Sequence, residues 1–245
     1  MSSLIERYNE PLPPWIHDIK VALKRDIAES RFAALSRAGD IQVMRQLILR
    51  FWPFVDVFPK LIRKGYSRLL KSELSKQVKN PSYQRVKDFV NILLLAHQTL
   101  SDIEKDEKSH RSLWLNTATS LGFAYDDLEI EPLSEVRAII VSVGESGDAF
   151  GMFLRFAEVE MVAEAVSKDF LASERFVSIV GARGIRWFKE HANHADGMTH
   201  EELALRLAFA FNDDRLDRNG VEMIVKNLTR LFIEAGEKCV ELAAL

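Results

Sequence analysis

Between Tyr83 and about Leu121 one stripe of residues recurs in steps of one, three or four: Val86, Phe89, Val90, Leu93, His97, Leu100, Ile103, Glu107, His110 and Trp114. That is the period of a helix with one buried face. The stretch predicts a long helix, stopped by Gly122. It also places two residues, Glu107 and His110, where the period calls for apolar ones. A charged carboxylate is costly to bury unless it is paired or holds a metal. Residues three apart share a helical face with Cβ atoms roughly 5–6 Å apart, so this Glu-x-x-His pair could grip one ion with an oxygen and an imidazole nitrogen.

The remaining chain reads as helices of the same kind. Pro-Leu-Pro-Pro at 11–14 marks a helix entry, followed by a helical period from Trp15 to Ala38 and a stop at Gly39-Asp40. A second helix, from Ile41 to about Lys64, contains Pro53 and Pro59 and is expected to kink. A polar piece and a turn at Asn80-Pro81 lead into the long helix. Beyond Gly122 come an acidic link, a short helix at 134–143 and a glycine-rich turn. A helix from Asp148 to Leu171 follows, then one from Ser173 through the histidines, and two more near 200–212 and 217–242. Alternating β-type runs, repeats and linkers are missing from the pattern. The expectation is an all-α single domain over 1–245, a bundle of about seven or more helices, with 1–13 as an extended N-terminal segment.

Composition excludes several classes of function. The net charge of −3 and pI near 6.1 give no basic footprint for nucleic acid. Apolar runs fall short of the roughly 20 residues a membrane helix needs. The polar N-terminus lacks a signal-peptide core, so a cytoplasmic location is expected, with no membrane or nucleic-acid partner. One cysteine, Cys239, excludes an internal disulfide and a cysteine-based zinc cluster. A small-molecule substrate fits such a chain, and a homodimer is compatible with it.

Two further groups carry chemistry. Glu158, Glu160 and Glu164 lie among Phe153, Ala157, Met161 and Ala165 on the 148–171 helix. His191, His194, Asp196 and His200 fall within ten residues. Imidazole with carboxylate is a ligand set of non-haem iron and manganese. On an ideal helix, at about 100° per residue, His191 and His200 point to opposite sides. Gly197 between them predicts a helix regular to about His191 and irregular from His194 to His200.

The ordered segments FWPFVDVFPKLI, DEKSHRSLWLNTATSLG, FAEVEMVAEAVS and WFKEHANHADGMTHEELALRLA resemble the haem-oxygenase-like di-iron oxidases. That family is related by fold to thiaminase II (TenA) and pyrroloquinoline-quinone synthase. The resemblance spans roughly residues 40–212. It implies a haem-oxygenase-like bundle, two iron ions with manganese as the alternative, and O₂ as co-substrate. The implied reaction is oxidation of a small molecule by N-oxygenation, oxidative C–C cleavage or decarboxylation. Carried over by position, the metal ligands are Glu107, His110, a glutamate of the 148–171 helix (Glu160, with Glu158 as the competing register), His191, Asp196 and His200. The gap between His191 and Asp196 is one residue longer than the family pattern, which makes His194 a further candidate ligand. Phe51, Trp52, Phe54, Phe153, Phe156 and Trp187 are candidate pocket walls. Two other readings stand beside this one: a cofactorless oxidase of the pyrroloquinoline-quinone-synthase type, in which histidines do acid/base work, and a metal-free helical interaction protein.

Overall fold

Helix-capping chemistry sets where the elements begin. Ser30, Asp148, Ser173, Thr199 and Asp217 each sit in extended backbone, and the side-chain oxygen of each accepts the N–H three residues on, satisfying a donor that the first helical turn leaves open. The structure is a computed structural model. It describes residues 4–77, 83–145, 147–192, 199–212 and 217–245, with the side chains of 72–77 and 83–86 excluded. Among the described residues there are eleven α-helices and no strand, so the all-α expectation is met. They are α1 (Leu4–Asn9), α2 (Trp15–Ala28), α3 (Arg31–Arg37), α4 (Ile41–Gln77), α5 (Tyr83–Ser120), α6 (Ser134–Gly144), α7 (Ala149–Leu171), α8 (Glu174–Gly184), α9 (Arg186–Ala192), α10 (His200–Phe211) and α11 (Arg218–Ala243). None of the described helices is long and apolar enough to cross a membrane.

The helix α7 is the centre of the bundle. It packs against α10, α9, α2, α11 and α3, and Phe153, Phe156, Ala157 and Glu158 along it are almost wholly excluded from solvent. A second layer pairs α4 with α5, and α6 and α11 close over α4. The ion pairs Arg111–Asp56 at 2.6 Å and Arg63–Glu104 at 2.5 Å lie along the α4–α5 seam. One continuous apolar core joins these layers.

Several expected boundaries shift. The N-terminal segment is not extended throughout, because Leu4–Asn9 is helical and packs on α10. The helix expected over Trp15–Ala38 is two, since Ser30 leaves helical geometry (ψ 149°) to cap α3. The helix expected to end near Lys64 continues as α4 through both prolines to Gln77. The turn at Asn80-Pro81 lies outside the described residues. The long helix α5 ends as expected: Gly122 takes φ +86°, and the Phe123 N–H reaches back to the Ala118 carbonyl at 3.0 Å. Its buried face keeps much of the expected stripe and departs from it in the first half of the helix. Phe89, Ile92, Ala96, Leu100, Ile103, Glu107 and Trp114 are buried, while Val90 and His97 are exposed. Spacing alone leaves two adjacent rows open, and the helices packed on α5, α4 and α8 foremost, select which is covered.

Candidate metal and substrate site

Three helices deliver the site. The α5 helix carries Glu107, buried at 6% exposure, and His110 one turn on. Their i, i+3 spacing brings the His110 Nδ1–H to the Glu107 Oε1 at 2.9 Å. His191 comes from α9 and is equally buried. Its Nδ1–H donates to the Trp187 carbonyl at 2.8 Å, which fixes the tautomer with the lone pair on Nε2, the arrangement typical of metal-binding histidine. The rings of His110 and His191 lie 4.5 Å apart. One ligand atom from each of Glu107, His110 and His191 falls within 4.8 Å of the other two.

Glu160, from α7, lines the same cavity as Glu107 and His191. It is buried, and its Oε1 meets no hydrogen-bond partner among the described residues. Burial pushes its carboxyl up from the ordinary range, and the nearby Glu107 charge pushes the same way. Burial alone would also raise Glu107. There the His110 hydrogen bond and the imidazole charges of His110, His191 and His200 prevail, and the net shift is downward. His110 is raised in turn, because the Glu107 hydrogen bond and charge outweigh burial. The site thus holds two buried carboxylates and no Lys or Arg among its lining residues.

The other sequence candidates divide cleanly. Glu158 is 0% exposed but belongs to a different part of the core, where it accepts the Thr229 hydroxyl at 2.9 Å. Burial holds its carboxyl well above the usual range. Of the two registers on α7, Glu160 is the one that faces the cavity. His200 opens α10, and its Nε2 lies 3.3 Å from Asp106 on α5. His194, Asp196 and Gly197 lie outside the described residues. The expected regular helix from Ser173 to His191 is broken, since Gly181 takes φ +63° and ψ −174° and α9 starts anew at Arg186.

The cavity itself is about 80 Å³. Phe51, Phe54 and Trp187 line it as expected. Trp52, Phe153 and Phe156 pack elsewhere, against Tyr125, Phe211 and Phe58 respectively. A larger groove of about 260 Å³ between α2 and α11 shares Ile233 with it.

One feature of the neighbourhood lacked any sequence signal beyond helical spacing. Lys20 and Lys24, one turn apart on α2, meet two buried glutamates. Lys20 donates to both oxygens of Glu201 at 2.6 and 2.7 Å. Lys24 lies 2.7 Å from Glu164, which also accepts from Lys168 at 2.6 Å. Burial would raise Glu164, yet the hydrogen bonds from Lys168 and Lys24 bring its carboxyl down to about 2. Glu201 directly follows His200, so this cluster ties the start of α10 to α2.

No family model and no curated protein matches the chain. Solved structures do share its architecture. A TenA homolog from Pseudomonas syringae pv. tomato str. DC3000 superposes with a TM-score of 0.71 over 98% of both chains at 17% identity. A TenA family transcription regulator from Silicibacter sp. TM1040 gives 0.51, covering 96% of this chain and 97% of its own, at 15% identity. Likeness at such low identity is a likeness of fold, and the chain has the helical fold of the TenA homologs.

Proposed function

We propose that the chain is an O₂-activating metal enzyme that oxidises a small molecule, with iron held at the Glu107, His110, His191 and Glu160 cluster. The observation that carries this reading is the convergence of three ligand atoms within 4.8 Å beside a buried Glu160 oxygen that has no partner among the described residues. Two carboxylates and two imidazoles suit iron or manganese, and a cation would satisfy the orphaned oxygen and offset the buried charge. His200, with Asp196 and His194 before it, would complete a second metal position. Bound there, iron would supply the electrons and the open coordination positions that O₂ needs. The protein's own residues fix the His191 tautomer through the Trp187 carbonyl, orient His110 through Glu107, and shut out water with the phenylalanines of the cavity.

A cofactorless oxidase is the second reading, favoured by the Glu107–His110 pair, which could shuttle a proton. Thiol-based chemistry has less support. Cys239 is fully buried on α11, and burial pushes its thiol up to about 12, whereas a nucleophilic thiol needs a depressed value. A net charge of −3 lends regulation through DNA no support. The deciding experiment is metal analysis of protein from iron-supplemented culture. Near-stoichiometric iron that disappears in Glu107→Gln is expected. Oxidase activity retained in iron-free protein would replace this reading with the cofactorless one.

A further inference from the structure

Two tryptophans meet edge to face at the cavity, Trp114 from α5 and Trp187 from α9, with ring centroids 4.7 Å apart. Both are buried, at 3% and 8% exposure. Their indole N–H groups have different fates. That of Trp114 donates to the Ile48 carbonyl at 2.9 Å. That of Trp187 is buried and meets no acceptor among the described residues, although Trp187 lines the cavity. Buried tryptophan N–H groups usually find a partner, and one left unpaired destabilises the fold.

A metal ion would take up the other orphan of the cavity, Glu160 Oε1. It cannot take up this one, because an indole N–H is a donor with no lone pair to offer a metal. An acceptor atom on a bound molecule would satisfy Trp187. The cavity narrows the chemistry further. With Glu107 and Glu160 in its wall and no Lys or Arg there, the chain's own side chains give an anionic acceptor no lysine or arginine to pair with, and its desolvation is costly. Apart from Ser30 and His191 the rest of the lining is apolar, with Phe51, Phe54, Val55, Phe58 and Phe232 among it.

We propose that Trp187 is a substrate-binding residue: its Nε1–H holds an uncharged oxygen acceptor, a carbonyl or hydroxyl, on a small molecule whose apolar body lies against the phenylalanines. This inference rests on the reading of the cavity as a substrate site. It places the polar end of the substrate near His191, whose ring centroid lies 4.0 Å from that of Trp187, and it gives the substrate class as a neutral oxygenated molecule of largely hydrocarbon character.

The test uses the full-length, iron-free protein and Trp187→Phe, which removes the N–H while keeping an aromatic ring. Cyclopentanone and cyclopentane serve as probes with matched rings. Titrations are followed by the indole ¹⁵N–¹H resonances, with that of Trp187 assigned by its loss in the variant. Cyclopentanone should shift that resonance, and Trp187→Phe should weaken ketone binding roughly three- to tenfold, the range expected for one net hydrogen bond. Cyclopentane affinity should not change. An equal change for both probes, an unmoved indole resonance, or no ketone binding by the unaltered protein would each overturn the inference. Iron uptake by the same preparation separates the two ideas. Iron binding with no ketone preference sinks only the role of Trp187, and a ketone preference without iron binding sinks only the metal reading.

Discussion

Two clusters of buried carboxylates flank one turn of α7, and they are completed in opposite ways. At Glu164 the acids meet lysines: Lys20, Lys24 and Lys168 surround Glu164 and Glu201 at 2.6–2.7 Å. At Glu160 the acids meet imidazoles, His110 and His191, and one oxygen is left without a partner among the described residues. Lysine is a permanent cation with no lone pair to give, so the first cluster is electrically complete as the chain folds. Imidazole is a weak cation and a good ligand, so on the proposed reading the second is completed by a bound cation. The same residue, glutamate, serves as a structural tie in one place and, on the proposed reading, as an open coordination position in the other. The residues brought opposite it make the difference.

The largest effect that could break this contrast is on metal uptake. His110→Ala should abolish iron binding, whereas His200→Ala should mainly weaken one of two irons, as read by anaerobic Fe(II) titration. Equal loss in both variants would mean that the irons bind as one unit. If neither variant changes uptake, the imidazole cluster is no more a metal site than the lysine cluster.

On the lysine side the expected effect is on stability. Removing one partner of a buried ion pair leaves an uncompensated charge and costs about 3–5 kcal/mol in full burial. Lys20 and Lys24 are each a little over a quarter exposed, so Glu164→Ala should cost roughly 2–3 kcal/mol in urea unfolding. Lys24→Met should cost less, because Lys168 still reaches Glu164. A negligible cost in both would show that water already screens the pair.

A smaller effect appears with pH. The Glu164 carboxyl is lowered to about 2 from an ordinary 4.5. Its stabilisation is therefore fully present above pH 4.5 and is lost as pH falls toward 2. The difference in urea-unfolding free energy between the unaltered protein and Glu164→Gln should shrink across that window, by about 1–2 kcal/mol once solvent screening is allowed for. A difference that holds constant down to pH 2 would contradict the lysine ties.

The smallest expected effect is none. Cys239, 0% exposed with its thiol pushed up to about 12, should not react with a disulfide reagent at pH 8 in the folded protein, and should react fully in urea. Rapid native labelling would bring thiol chemistry back into consideration.

The helices were legible because their determinants are local. A period of three and four placed Glu107 and Trp114 on the buried side of α5, and the Gly122 stop matches the left-handed residue that ends the helix. Some local signals were present and went unread. Ser30 is a cap residue in the middle of the assumed 15–38 helix, and Gly181 and Gly184 interrupt the assumed run from Ser173 to His191. A cap or a glycine competes with a continuing apolar period, and period alone does not say which prevails.

By itself, then, the sequence determined that the chain is all helical, which helices carry the acids and histidines, and that Glu107 faces inward, since each of these follows from backbone propensity and spacing over a few residues. Only the tertiary structure decided that Glu160 rather than Glu158 enters the cavity. Both are buried, and the period of one central helix packed on many sides cannot rank its faces. Nor could spacing bring the His191 ring to 4.5 Å from that of His110, join Lys20 to Glu201 across 181 residues, or leave the Trp187 N–H without a partner among the described residues. Those facts depend on how α2, α5, α7, α9 and α10 cross, and the crossing is set by side chains interlocking between helices far apart in the chain.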